Sequence, residues 1–310
     1  MLSNYHTHTE FCDGLNTMSE FAEAALSRGF RSLGFSPHGY VPFEGLYHGM
    51  PDGDLPAYLD MAETLKRFYA GKLDIYAGLE NDEANMHDPG AFDYTIGSVH
   101  CIKRGDRYYS VDSWESVAAQ VIAGEFGGDG IAYAKAYYDA VREFASRKRA
   151  DILGHLDVVR RFNSVKGGGA GGAAGGIGGA GGGDAGGAAG GIGGAGGGDA
   201  GGEGGYRFFN ERAPEYRRAA ESALEAAVRS GYIIEVSTGP LSKGFSDEPY
   251  PAVFLLERAK EMGARVMINS DAHAAANLDY AFGAAERILL KAGFTERWEL
   301  APGGFEPVRL

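Results

Sequence analysis

Short apolar runs alternate along this chain with longer stretches in which apolar residues recur every three or four positions. The runs at 2–6, 32–36, 73–79, 94–99, 151–155, 232–237 and 265–269 read as strands. The stretches at 17–28, 55–70, 113–125, 131–147, 212–230, 250–262 and 278–292 read as amphipathic helices; in the last, Ala281, Ala284, Ala285, Ile288 and Leu289 fall on one face. Regular strand–helix alternation predicts parallel strands joined by crossover helices, hence an α/β fold. Seven such units are present, one fewer than a complete eight-fold barrel.

One segment breaks the pattern. From 167 to 205 the chain is almost entirely Gly and Ala, and residues 171–185 recur unchanged as 186–200. Apart from Ile177 and Ile192 it has nothing apolar to bury, and glycine loses the most entropy on ordering. It reads as a flexible surface loop inserted after the fifth strand of a single domain spanning 1–310; glycine-rich packed helices of the polyproline II type are the alternative. Loop closure cost grows slowly with length, so a barrel tolerates such an insertion.

Composition narrows the partners. Among 310 residues 44% are hydrophobic, ample for a core, and the net charge of −13 argues against a nucleic-acid backbone as main partner. Two cysteines, Cys12 and Cys101, make no disulfide framework. No leader opens the chain and no apolar run reaches membrane-spanning length, so a soluble, cytoplasmic protein with no membrane partner is expected; the oligomeric state is left open.

The chemistry lies where the apolar runs end. Six of the eight histidines sit there: His6 and His8, His38 in Ser-Pro-His, His100 in Gly-Ser-Val-His, His155 in Gly-His, and His273 in Ser-Asp-Ala-His. Strand residues i and i+2 share a side, so His6 and His8 can grip one ion. Imidazole and carboxylate suit zinc, iron and manganese. Glu80 and Asp271 each follow an apolar run, where an unpaired carboxylate is costly and a metal removes the cost. His48 and His87 fall in Gly/Pro/Asp-rich loops and read as ordinary surface residues.

His-Thr-His-Thr at 6–9, Ser-Pro-His at 36–38, Gly-Leu-Glu at 78–80, Gly-Ser-Val-His at 97–100, Gly-His-Leu-Asp at 154–157 and Asn-Ser-Asp-Ala-His at 269–273 resemble, in order, the polymerase-and-histidinol-phosphatase (PHP) superfamily. The likeness covers roughly 1–162 and 206–290 and is nearest to the monofunctional histidinol-phosphate phosphatases; Glu-Val-Ser-Thr-Gly at 235–239 followed by Pro249-Tyr250-Pro251 resembles that branch. The resemblance implies a distorted seven-stranded, TIM-like (β/α) barrel and two or three divalent ions. His6, His8, Glu80 and Asp271 would hold the first, Glu80, His100 and His155 the second, and Asp13, His38 and His273 the third. Many members have histidine where Asp13 stands, and Cys12-Asp13-Gly14 also reads as a plain turn.

Such a cluster suits a phosphomonoester. Paired metals neutralise phosphate oxygens and lower the pKa of a bridging water, whose hydroxide would attack phosphorus, with His273 or Asp271 protonating the leaving alkoxide. Arg160 and Arg161 read either as a phosphate clamp, Arg160 preferred on resemblance, or as a solvated pair; Lys243 is a second clamp candidate. Glu44, Tyr47 and Asp112 are candidates for the amine and imidazole of histidinol. The expected reaction is hydrolysis of L-histidinol phosphate. The alternatives are another phosphoesterase specificity in the same superfamily (sugar phosphate, nucleotide or phosphotyrosine) and a non-catalytic metal-binding barrel. Structural metal sites are usually closed and cysteine-rich, and neither cysteine is placed as a ligand here.

Overall fold

A computed structural model describes residues 2–42, 48–84, 87–147, 149–164 and 205–310. Glu44, Tyr47 and the Gly/Ala repeat lie outside the described residues. In chain order the elements are β1 (Leu2–Asn4), α1 (Met18–Ser27), β2 (Phe30–Phe35), α2 (Leu55–Phe68), β3 (Asp74–Asp82) and β4 (Tyr94–Ser98). Next come a hairpin, β5 (Cys101–Arg104) and β6 (Arg107–Ser110), then α3 (Glu115–Glu125), α4 (Gly130–Ser146) and β7 (Ile152–Leu153). After the repeat follow α5 (Pro214–Arg229), β8 (Ile233–Ser237), α6 (Gly239–Ser242), α7 (Val253–Glu261), β9 (Arg265–Asn269) and α8 (Phe282–Lys291). A second hairpin, β10 (Glu296–Ala301) and β11 (Gly304–Arg309), ends the chain.

Seven strands run parallel in the order β1-β2-β3-β4-β7-β8-β9. Each is buried on both faces along most of its length, as expected of a sheet wrapped in helices. The ends of the sheet meet just past β1 and β9, where Thr7 bridges Ala272. There His8 N–H donates to Ala272 O at 2.9 Å and Ala272 N–H to His6 O at 3.2 Å. Side chains finish the seam: Asn269 Oδ1 accepts from Tyr5 N–H at 2.9 Å, and Asn4 Nδ2 donates to Ser270 Oγ at 2.6 Å. The result is a nearly closed seven-stranded barrel with helices between its strands.

The barrel interior is filled, not hollow. Tyr5, Tyr76, Tyr94, Ile96, Ile152, Ile233, Met267 and Leu300 form one buried cluster inside it. A Cβ on Gly78 would stand 2.3 Å from the Tyr94 ring, so β3 needs glycine there for the ring to fit. The C-terminal hairpin reaches this plug: Tyr5 Oη donates to Leu300 O and accepts from Leu300 N–H, both at 3.0 Å. Neither hairpin was expected from the strand–helix reading. Two outer cores flank the barrel, one beneath α1 and α2 and a larger one beneath α4, α5 and α7. Local signals agree with these elements; Thr17 and Glu20, for instance, form a reciprocal capping box at the start of α1.

The flanks of the repeat are held together. Ser164 bridges Tyr206, and buried Asn163 donates to Phe209 O at 2.9 Å while its Oδ1 accepts from the Phe208 and Phe209 amides at 3.0 Å.

Candidate metal centre and substrate cavity

Strands of the barrel deliver the polar side chains to one end. β3 runs three residues further than the apolar run suggests, through Glu80, Asn81 and Asp82. Alternation then aims Glu80 and Asp82 at the same side, as it does His6 and His8. Glu80, fully buried, is the centre of the cluster. Its Oε2 lies 2.7 Å from His38 Nδ1, 3.3 Å from His6 Nε2 and 3.6 Å from His8 Nε2. Its Oε1 lies 2.9 Å from His155 Nε2 and 3.4 Å from His100 Nε2, and accepts from Ser98 Oγ at 2.6 Å. Asp271 Oδ1 closes one flank, 3.2 Å from His8 Nε2 and 3.8 Å from His6 Nε2. On the other, Asp13 Oδ2 stands 3.4 Å from His273 Nε2 and 3.8 Å from His38 Nε2.

All nine predicted metal-site residues therefore come together. Four overlapping groups have donor atoms near enough to share an ion: His6, Glu80 and His155; His6, His8 and Asp271; His38, Glu80 and His100; and His8, Asp13, His38 and His273. His38 joins the Glu80 group as well as the Asp13 group, a role not anticipated. His48 borders the cavity without joining the cluster, and His87 binds Tyr40 O through Nε2 at 2.9 Å.

The donor set fits divalent ions. His6 Nε2, His8 Nε2 and Glu80 Oε2 are buried, converge, and make no hydrogen bond among the described residues. Ligands about 2.0–2.1 Å from a tetrahedral ion sit roughly 3.3–3.4 Å apart. The 3.2, 3.3 and 3.4 Å separations just given match that edge. The acids and imidazoles of the cluster shift one another. Burial alone would lower His6 and His100, but Glu235 and Glu80 hold His6 well above the usual imidazole range, and Glu80 with Asp82 does the same for His100. Burial likewise opposes ionisation of Glu80, yet His6, His38 and His100 hold its carboxyl well below the usual range. His8 goes the other way, lowered by burial and by the adjacent His273 and His38 rings. A divalent ion would compensate the same carboxylates and need the imidazoles neutral.

Two carboxylates orient the rings from outside, and sequence reasoning assigned neither a role. Glu235, fully buried on β8, meets His6 Nδ1 at 2.7 Å through Oε1, and its Oε2 accepts the His155 N–H at 2.8 Å. Asn269 Nδ2 donates to Glu235 Oε1 at 2.9 Å. Asp82 Oδ2 meets His100 Nδ1 at 2.7 Å. A carboxylate on one ring nitrogen directs the lone pair of the other inward. The signal was present: Glu235 interrupts Ile-Ile-Glu-Val in a buried strand, where an acid needs a partner.

Loop geometry completes the site. A Cβ on Gly14 would fall 2.1 Å from His8 O, so only glycine lets the Cys12–Gly14 turn fold back and set Asp13 beside His8. Asp271 adopts a left-handed backbone, φ 49°, at the end of β9.

The cluster opens into a cavity of about 450 Å³ bordered by His38, His100, His155, Asp271 and His273 on one side and by Asp112, Trp114, Arg161, Lys243, Phe245 and Tyr250 on the other. Arg161 stacks on Phe245, 4.5 Å from its ring centre, and lies 3.6 Å from Asp112 Oδ2. Lys243 Nζ donates to Asp271 Oδ2 at 3.1 Å. Arg160 does not border this cavity, contrary to the preference given it above. Its nearly buried guanidinium binds Glu211 at 2.7 Å, Asp157 at 3.2 Å and Glu248 at 3.5 Å. The short turn Val158–Arg160 sends adjacent arginines in different directions, one into an ion network and one to the cavity.

Comparison with known proteins agrees with this architecture. The PHP domain family matches residues 4–173. The chain is 25% identical to the "Probable histidinol-phosphatase" of Deinococcus radiodurans, covering 94% of each, and 24% identical to the histidinol-phosphatase of Bacillus subtilis, covering 90% of this chain and 96% of that one. The histidinol phosphate phosphatase of Lactococcus lactis, solved with Zn, L-histidinol and phosphate, superposes with a TM-score of 0.64 at 18% identity over 98% of both chains. With a matched segment that covers more than half of its length and carries the His6, His8, Glu80, His100 and His155 positions, this chain belongs to the PHP domain family.

Proposed function

We propose that the chain is a metal-dependent phosphomonoesterase that hydrolyses L-histidinol phosphate to L-histidinol and phosphate. The observation that carries the reading is buried Glu80, with imidazoles facing both its oxygens, three of which (His38, His100 and His155) also border a cavity lined by Arg161 and Lys243. The substrate's identity draws on the names of the relatives and on the histidinol and phosphate of the Lactococcus structure.

Glu80 Oε2 with His6, His8 and Asp271 would hold one ion, and Oε1 with His100 and His155 a second. Asp13, His38 and His273 would hold a third. Zinc, iron and manganese all suit this donor set. Bound there, the ions neutralise phosphoryl oxygens and ease ionisation of the attacking water.

The chain supplies the rest. Arg161 presents a planar fork that matches two phosphoryl oxygens, and Phe245 beneath it keeps the fork in one plane. Lys243 adds a point charge while its bond to Asp271 fixes that carboxylate's direction. As the bond between phosphorus and the ester oxygen breaks, water contributes the new oxygen on phosphorus, and the ester oxygen, leaving with the substrate carbon, needs a proton. His273 and Asp271 both border the cavity; His273 is placed to deliver that proton, and Asp271, held ionised beside Lys243, to orient a water that does so. Asp112 and exposed Trp114 border the mouth, where a cationic, heteroaromatic leaving group would lie.

Metal analysis combined with a panel of monoesters on zinc- or manganese-loaded protein tests the reading. Clear preference for histidinol phosphate is expected. Equal turnover of sugar phosphates, nucleotides or phosphotyrosine would assign another specificity, and metal binding without turnover would leave a non-catalytic barrel.

A further inference from the structure

One polar group on the cavity wall has no employment within the fold. Tyr250 is 4% exposed, and its hydroxyl makes no hydrogen bond to any described residue. Its backbone is firmly placed: Ser237 N–H donates to Tyr250 O at 2.7 Å and Tyr250 N–H to Ser237 O at 3.0 Å, at the rim end of β8. The side chain borders the same cavity as His155, Arg161 and Lys243. Arg161 Nε is buried and unbonded in the same way among the described residues.

A buried hydroxyl without a partner lowers stability, so phenylalanine would serve the core better. Burial holds the phenol well above its ordinary pKa, against the opposing charge of Arg161, so it stays protonated and able to donate. A donor beside a guanidinium suits an anion and repels an ammonium. Of the groups on a phosphomonoester of an amino alcohol, only the phosphoryl is anionic.

We infer that the Tyr250 hydroxyl, with Arg161 Nε, donates a hydrogen bond to a phosphoryl oxygen, which makes Tyr250 a substrate-binding residue of this cavity. The inference rests on the phosphomonoesterase reading and adds a residue to it.

Tyr250→Phe separates binding from folding, because the two effects run in opposite directions. With metal-loaded protein and inorganic phosphate as probe, phosphate affinity should fall about 10- to 100-fold, the range for a hydrogen bond to a charged group. KM for the monoester should rise, bound metal should stay unchanged, and the melting temperature should stay level or rise. Unchanged phosphate affinity overturns the inference and leaves the phosphomonoesterase reading standing. A lowered melting temperature also overturns it, since the hydroxyl would then be serving the fold. If wild-type protein neither binds phosphate nor turns over any monoester, the phosphomonoesterase reading fails and takes this inference with it.

Discussion

Two buried acids do different work around the same imidazoles, and substitution separates them. Glu80 faces five rings, so Glu80→Gln should lower bound metal and turnover together, turnover by more than about 100-fold, as metal analysis beside a steady-state assay would read. Near-normal activity with normal metal content would remove Glu80 from the centre. Glu235 meets the outer nitrogen of His6 and accepts from the His155 amide and from Asn269 Nδ2. Its exchange for Gln keeps the shape but weakens orientation, so metal affinity should drop about 10- to 100-fold. The ion expected at Asp13, His38 and His273 should be spared; chelator competition that showed uniform loss would argue against so local a role. Asp157 belongs to neither set. Burial pushes its carboxyl up to about 6 even with Arg160 alongside.

That contrast gives the two arginines opposite phenotypes. Arg160→Met strands the buried Asp157 and should destabilise the fold by about 3–5 kcal/mol in chemical denaturation. Arg161→Met should leave the denaturation midpoint nearly unchanged and weaken phosphate binding instead. Reversal of those two results would restore the clamp to Arg160. From sequence the pair was indistinguishable, because adjacent residues share composition, charge and neighbours. Only the turn at Val158–Arg160 sends them apart.

At the scale of elements, the barrel strands and helices follow the apolar periodicity closely, because burial on both faces leaves a continuous local trace. β3 is the instructive departure. Polar Glu80, Asn81 and Asp82 end the apolar run, yet the strand continues through them, since β4 pairs with it as far as Asp82. A local pattern cannot report a partner strand. The β5–β6 and β10–β11 hairpins escaped for a related reason: their outward faces are polar and their inward faces mean something only beside the barrel. The turn after His8 makes a sharp prediction. Gly14→Ala places a methyl group against the His8 carbonyl, so the turn must shift and carry Asp13 away. A loss of about 1–3 kcal/mol is expected, with one fewer ion bound per chain. Full stoichiometry at unchanged stability would show that the turn has room to spare.

Over the whole molecule, the chemistry sits at one end of a barrel whose interior is plugged by Tyr5, Tyr94 and their neighbours. Among the described residues no helix is long and apolar enough to cross a membrane. The Gly/Ala repeat leaves and rejoins the barrel between residues that Asn163 ties together. Deleting 168–204 should therefore change stability by no more than about 1 kcal/mol and spare metal binding; insoluble protein after the deletion would give the repeat a structural role. Acid should act on the molecule as a unit. Imidazole must be neutral to ligate, and its ordinary pKa is about 6.5. His6 and His100 are held well above that value in the fold, so protons compete with metal from above about 6.5; stability contributed by bound metal is lost as pH falls through that range, and the melting temperatures of metal-loaded and metal-free protein should converge on the way down.

The sequence alone determined the seven barrel strands, the main helices around them and the placing of His6, His8, His38, Glu80, His100, His155, Asp271 and His273 at strand ends, because periodicity and run boundaries are local properties. Tertiary structure alone decided what lies across the barrel from each of them. Glu235 orients His6 from 229 residues away, Asn4 reaches Ser270 across the closing seam, and Tyr250, whose buried hydroxyl has no partner among the described residues, borders the cavity. Those pairings arise where the ends of different strands converge, and chain separation carries no trace of that convergence.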